Sequence, residues 1–370
     1  MGRVRFGQRY NCVLSNCTSR AFVNRPFASE TPEEPAASAG GAPAHIADLI
    51  QRIRDLTDKL ATDHASRGDV KILSRTLQEL RYAFKVFSPY RQRRKVTIFG
   101  SARTSPDHPA YQQAVLFSRR MAAEGWMVIT GAASGIMEAG HVGAGRENSL
   151  GLNILLPFEQ AANPVIAGDP KLVHMKYFFT RKLMFVKETS ALCCLPGGFG
   201  TLDEGLEVLT LLQTGKRDMV PVVFLDEPHG DYWAAFQEFV TRQLLGRGMI
   251  SPEDLSLYRI TTEVDEAVRE ILDFYRVYHS MRYVHRRLVM RLTQPLGAEV
   301  IDQLNTGFAD LLAEGKFELS GPLEEEREER ELAALPRLVF TFNRSSFGRL
   351  RQLIDTINRA AISSGAGKNL

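Results

Sequence analysis

The feature that most constrains this chain is a rhythm of short apolar runs at 96–100, 127–131, 152–157, 191–196 and 221–225. Between and after them lie amphipathic stretches at 111–124, 181–188, 202–213 and 232–245. Runs apolar throughout suit strands covered on both faces, and strands separated by helices pair in parallel. The repeats are too few for a closed barrel of eight strands and eight helices, so the reading is a doubly wound parallel sheet. Ligands of such sheets bind beyond the carboxyl ends of the strands. Residues at those ends are therefore where chemistry is sought.

Around this core, apolar residues recur at helical spacing from Ile46 to Leu60 and from Ile72 to Phe87, which predicts two helices with a break near Gly68. The basic cluster Arg91, Arg93, Arg94 and Lys95 follows and reads as a solvated connector. Beyond Tyr278 the pattern becomes β-α-β-β-α, with strands at 287–292, 317–320 and 338–342 and helices at 298–312 and 347–357. That order suggests a ferredoxin-like or ACT-like α+β unit. The mixed-charge run 324–331 reads as an exposed loop or short helix within it. The expected organisation is a tail and linker at 1–43, a helical hairpin at 44–90, an α/β domain at 91–279 and an α+β unit at 280–370.

Composition excludes several classes. A net charge of +3 over 370 residues is far from the concentrated basic surface of a dedicated nucleic-acid binder. No apolar run is long enough for a membrane helix, so no membrane partner is expected. Cys12, Cys17, Cys193 and Cys194 lack zinc-ribbon or thioredoxin spacing, and His108, His141 and His174 are scattered, so no metal site is expected. Cys193 and Cys194 read as buried strand residues of a protein in a reducing compartment, the cytoplasm. Residues 1–29 carry five arginines, Arg3, Arg5, Arg9, Arg20 and Arg25, a bias that resembles an organellar transit peptide, but the Pro-, Ala- and Gly-rich tract at 31–43 favours a disordered tail and linker.

The strongest chemical signal is Pro196-Gly197-Gly198-Phe199-Gly200-Thr201-Leu202-Asp203-Glu204, set between an apolar strand and a helical pattern. Glycines admit close approach to an anion, and the free amides and dipole of the following helix attract it. Thr201 adds a hydroxyl. Glu204 would stand one turn into the helix, where its bland role is to complement the dipole or complete a capping box with Thr201. A second turn, 130–138, brings Gly131, Ser134, Gly135 and Glu138. A third, 99–103, brings Gly100, Ser101 and Arg103. One such turn is weak evidence, but three at consecutive strand ends describe a phosphate cradle.

With these residues the chain resembles the LOG (Lonely Guy) family of phosphoribohydrolases over about Lys95 to Tyr278. Residues 196–204 fit its Pro-Gly-Gly-x-Gly-Thr-x-x-Glu motif, and Phe179-Thr180-Arg181-Lys182-Leu183-Met184 looks like its Arg-Lys motif. The length is closer to the bacterial nucleotide 5′-monophosphate nucleosidases. The resemblance implies a Rossmann-like fold, catalysis by Arg181 and Glu204 with Lys182 assisting, a 5′-phosphate held by the Gly-rich turns, no cofactor, and a homodimer that shares residues at the active site. The implied reaction is hydrolysis of the N-glycosidic bond of a purine nucleoside 5′-monophosphate, AMP or a cytokinin riboside 5′-monophosphate. A carboxylate beside the anomeric carbon suits the oxocarbenium-like transition state, and Arg181 would clamp phosphate or ribose while holding Glu204 ionised.

Two departures bear on substrate. Ala132 and Ala133 replace glycines usual in the second turn, where a methyl group would hinder phosphate approach. Phe178-Phe179-Thr180 replaces the Met-His-Glu of compact members and moves the expectation from cytokinin to AMP. The competing class is a non-catalytic nucleotide or molybdenum-cofactor carrier, which would not need Glu204 with Arg181. A dehydrogenase lacks its Gly-x-Gly-x-x-Gly after the first strand, and no lysine context supports a pyridoxal-phosphate decarboxylase.

Overall fold

The computed structural model describes residues 46–156, 161–327 and 329–365; the expected tail and linker, Cys12 and Cys17 lie outside them. Residues up to Ser66 form one unit and Arg67 onward a second. In the first, α1 (Ala47–Thr62) is amphipathic and leaves Leu49, Ile53 and Leu56 exposed. The helix pair breaks at 63–66, where His64 takes a φ of 55°. Gly68 lies inside α2 (Arg67–Phe87).

The second unit is built on a seven-stranded parallel sheet. In chain order it runs β1 (Lys95–Phe99), α3 (Pro109–Ala123), β2 (Met127–Thr130), α4 (Ile136–Ala144), β3 (Ser149–Ile154), β4 (Leu172–Met175), α5 (Phe178–Glu188), β5 (Ala191–Cys194), α6 (Phe199–Gln213), β6 (Val222–Leu225), α7 (Tyr232–Phe239), β7 (Arg259–Thr261) and α8 (Val264–Phe274). The spatial order is β4-β3-β2-β1-β5-β6-β7. This is the doubly wound, Rossmann-like arrangement expected, with the order reversing between β1 and β5. The sequence reading missed β4 and β7. Both are short edge strands, which lack the long apolar run that marks a central one.

Alternation along each strand divides the core. Met127, Ile129, Leu192 and Cys194 face one layer with residues of α2, α5, α6 and α7; Val96, Ile98, Val128 and Cys193 face the other with α3, α4 and α8. Successive strand residues point to opposite faces. Cys193 and Cys194 are accordingly both buried and free, as the apolar run implies.

The chain continues as β8 (Tyr278–Val284), β9 (Arg287–Leu292), α9 (Ala298–Gly307), β10 (Leu312–Ser320), β11 (Arg337–Phe342) and α10 (Phe347–Gly365). These strands form an antiparallel sheet ordered β10-β11-β9-β8. β9, α9 and β10 make the split β-α-β of a ferredoxin-like unit, with β11 between the two strands. The unexpected strand is β8, which enters ahead of that motif and pairs with β9 in a hairpin. Its Tyr278 and Met281 join the same hydrophobic core as one face of the large sheet, while Val284 packs with Val289 and Val339.

The mixed-charge run is not simply exposed. Glu326 is buried and accepts hydrogen bonds from Arg291 Nε (2.9 Å) and Arg337 Nε (3.1 Å), both arginines also buried. A buried carboxylate between two guanidiniums is tolerated only with its lone pairs filled. Here the cluster ties the run onto β9 and β11.

Candidate active site at the sheet switch point

Three Gly-rich turns meet beyond the carboxyl ends of β1, β2 and β5, and main-chain bonds hold them together. Ser101 N donates to Pro196 O at 3.1 Å, and Ile136 N donates to Ser101 O at 3.0 Å. Ser134 Oγ donates to Ala102 O at 2.9 Å, and Arg103 N donates to Ser101 Oγ at 3.1 Å. This closeness is why the turns need glycine. A Cβ on Gly100 would come within 2.6 Å of Ile136, and Cβ atoms on Gly135 and Gly197 would collide with Ser101 O and with Thr201 Oγ1. Gly135 also has φ of 66°, which side chains rarely adopt.

Gly198 and Gly200 differ, because open space surrounds them at the start of α6. A helix start leaves its first amides without intrahelical acceptors. Gly198 and Gly200 are exposed at this helix start, and a helix N-terminus of this kind can bind an oxyanion. Tyr232 supports this turn, its hydroxyl donating to Gly197 O at 2.6 Å. Ser134 and Arg103 are exposed at the rim, while Thr201 is buried.

Arg181 is half-buried on α5, not the surface residue that a helical arginine usually is. Its Nε donates to Leu152 O at 2.8 Å, its guanidinium stacks 5.2 Å from the Phe185 ring centroid, and a Cβ on Gly131 would collide with its Nη2. Gly131 thus serves to admit the arginine. Burial lowers the Arg181 pKa to about 10, opposed by Glu204, so the side chain stays charged at neutral pH.

Glu204 is half-buried in the second turn of α6, because the helix begins at Phe199, earlier than expected. Its N-cap is Gly198, with no side-chain cap, so the capping box with Thr201 does not form. Burial raises the Glu204 pKa to about 7 against the pull of Lys182 and Arg181, with Asp203 and Glu207 adding to the rise. The expectation that Arg181 holds Glu204 ionised is corrected here. No ion pair joins Arg181 to Glu204 among the described residues, and desolvation outweighs the more distant attraction. Lys182 instead bonds Asp203 at 2.8 Å and approaches Glu207 at 3.6 Å. Burial works against its charge, but Asp203, Glu204 and Glu207 raise its pKa overall. Glu138 is half-buried in the first turn of α4, close enough for its charge to raise the Tyr111 pKa further beyond the effect of burial.

The methyl group of Ala132 does not narrow the cradle. It is buried in a small cluster with Ile166 and Leu172, although the residue holds φ of 61°. Ala132 N donates to Thr130 Oγ1 at 3.0 Å, and Asn163 N donates to Ala132 O at 2.8 Å, fixing that conformation. Asn163 Nδ2 also donates to Ala133 O at 3.1 Å and lies 3.1 Å from His141 Nδ1. Burial lowers the His141 pKa to about 4. The second turn therefore rests on a neutral histidine.

Sequence reasoning also missed Glu79. From α2, this buried carboxylate accepts from Lys176 N at 2.8 Å and Thr180 Oγ1 at 2.7 Å, and pairs with Arg75 at 2.8 Å. Burial alone would raise its pKa, but these bonds lower it. It anchors the start of the helix that carries Arg181. The available signal was a lone carboxylate on the stripe Glu79, Ala83 and Phe87, the three buried residues of α2.

Residues 130–271 match the family described as "Possible lysine decarboxylase". The cytokinin riboside 5′-monophosphate phosphoribohydrolase LOG1 of Arabidopsis thaliana is 33% identical over 94 residues. The two matches support a LOG-family assignment for this domain. That alignment spans 25% of this chain and 42% of the relative, less than half its length. Among solved structures, the chain is similar to the molybdenum cofactor binding protein of Rippkaea orientalis, with 19% identity, TM-score 0.35, and 49% and 96% of the two chains covered. The molybdenum cofactor carrier protein of Chlamydomonas reinhardtii matches at 19% identity and TM-score 0.33, covering 49% of this chain and 98% of that one. Among the described residues, no helix is long and apolar enough to cross a membrane and no cluster of metal-ligand side chains is found.

Proposed function

We propose that the LOG domain hydrolyses the N-glycosidic bond of a purine nucleoside 5′-monophosphate, AMP first, to free base and ribose 5-phosphate. What supports this reading is Arg181, held by Leu152 O and packed on Gly131, with Glu204 near enough for the two charges to act on each other and itself on α6, whose start follows the Gly-rich turn after β5. The 5′-phosphate would sit at the exposed start of α6, by Gly198 and Gly200, with Ser101, Ser134 and Thr201 as nearby hydroxyls. Ionised Glu204 would stabilise the ribosyl cation as the bond from C1′ to the base nitrogen breaks. Water then supplies the new hydroxyl on C1′, keeping one of its protons there and yielding the other, directly or by way of solvent, to the departing base nitrogen. Arg181, charged and held by Leu152 O, would orient the phosphate or ribose. Lys182, committed to two carboxylates, supports the local field.

The deciding experiment is Glu204→Gln with AMP, followed by chromatography for adenine. Base release should fall by about a hundredfold or more, while AMP affinity is kept. Unchanged turnover rejects the assignment of Glu204. A carrier that only holds its ligand would return AMP intact in the wild-type protein.

The reading extends to a homodimer in the cytoplasm. Phe178, Phe179 and Leu183 on α5 and Leu206 on α6 are exposed beside the site, and a second copy would cover them. The buried free thiols suit a reducing compartment. Light scattering that finds a fully active monomer at micromolar concentration rejects the shared site.

A further inference from the structure

We propose that a second ligand site, for a small phosphate-bearing polyanion, lies at the opposite edge of the parallel sheet from the turns. A cavity of about 560 Å³ opens there between the end of α2, the residues entering β1 and β5, and the first residues of β8. Its volume is that of a small-molecule site, typically about 300–1,000 Å³. At ~3.3 Å per residue, β1 sets this edge about 17 Å from the Gly-rich turns. The cavity is therefore distinct from the candidate active site.

Arg91, Arg93, Arg94, Lys95 and Lys187 line it, against Glu188 as the one lining carboxylate. Lys95 and Lys187 share that carboxylate, Lys95 at 3.5 Å. The arginine contacts are with neutral groups. Arg93 donates to Asn148 Oδ1 at 2.9 Å and to Gly125 O at 3.2 Å. Arg94 lies 3.5 Å over the Tyr275 ring and donates to His279 O at 3.4 Å. Five cations thus surround one anion, an excess that a bound polyanion would neutralise. Arginine forks match phosphate oxygens in pairs, and the lining hydroxyls of Thr189 and Ser190 suit the same oxygens. Phe84 and Phe87 close one side and give the ligand an apolar wall.

The test is calorimetric titration of inorganic pyrophosphate into the full chain at fixed ionic strength. Arg91 and Lys187 are exposed, so Arg91→Ala/Lys187→Ala is expected to fold, which circular dichroism checks. This pair should weaken pyrophosphate at this second site by about tenfold or more, whereas Arg103→Ala, in the cradle at the other edge, should leave the affinity of this second site unchanged. Absence of binding at millimolar pyrophosphate overturns the site, as does binding lost in Arg103→Ala but retained in the double variant. Citrate separates phosphate recognition from charge alone. Equal affinity for citrate would overturn the phosphate assignment.

Discussion

At the carboxyl edge of the parallel sheet, the groups proposed to face a ligand are mainly main-chain amides, with Arg181 and Glu204 near them and joined by no ion pair among the described residues. At the amino edge they are side chains, five cations around Glu188. Glycines that collide with any Cβ lock the first set in place, as Gly100, Gly131, Gly135 and Gly197 do. Long flexible side chains hold the second. A main-chain cradle fixes atomic positions and suits a reaction, where small misplacements are costly. A cluster of lysines and arginines supplies field strength with less precise geometry and suits binding.

Predictions follow from pressing on that contrast, and α5 is the sharpest place to do so because it reaches both edges. Arg181→Gln, near its start, should lower kcat/KM for AMP by about a hundredfold, while Lys187→Ala, near its end, leaves it unchanged. Steady-state kinetics decide, and equal losses would erase the distinction between edges. Next in size is Glu79→Ala, which strips acceptors from Lys176 N and Thr180 Oγ1. A buried donor left unmet costs about 1–3 kcal/mol. We expect lower stability in urea and a reduced kcat for AMP, with Glu79→Gln partly restoring both through its remaining oxygen. Lost stability at full kcat would show that Glu79 does not position Arg181.

The pH response separates the titratable groups. With Glu204 raised to about 7 by burial, kcat/KM for AMP should climb as pH rises through about 7, because the ionised form is required. The same shift acts on stability. The folded state holds this proton more tightly than the unfolded state, whose ordinary value is 4.5, so Glu204 makes folding less favourable as pH rises from 4.5 through about 7. Glu204→Gln should then be more stable than wild type above neutrality, and denaturation at pH 8 checks the sign. His141 works in the reverse sense. Its folded value of about 4 lies below 6.5, so the stability it contributes is lost as pH falls through that window.

Ala132→Gly carries the smallest expected effect. Relief of a positive φ is offset by the lost methyl packing and by the greater freedom of glycine when unfolded, leaving a change within about 1 kcal/mol. AMP kinetics should not move, because that methyl packs on Ile166 and Leu172. A clear gain in AMP affinity would mean that it reaches the cradle after all.

Much of the candidate site's edge was legible beforehand because its parts are local. A strand, a Gly-rich turn and a helix start are consecutive in the chain, so their amides and their carboxylate are written side by side in 196–204. Glu79 was not legible in that way, since its partners Lys176 and Thr180 lie 97 and 101 residues away. β4 and β7 escaped for a related reason. An edge strand is defined by the neighbour it pairs with more than by its own apolar run.

By itself, the sequence determined the strand-helix rhythm, the parallel sheet and the three turns, because periodicity and glycine placement act over a few residues, and its motifs singled out Arg181 and Glu204 as candidates. Only the tertiary structure decided the protonation balance of Glu204, the role of Gly131 in admitting Arg181, and the harmless direction of the Ala132 methyl. It also turned the basic connector 91–95, read as solvated, into the wall of a cavity by bringing the ends of α2 and α5 and the start of β8 against it. Desolvation, close packing and the sum of nearby charges depend on segments far apart in the chain, and those distances exist only once the chain has folded.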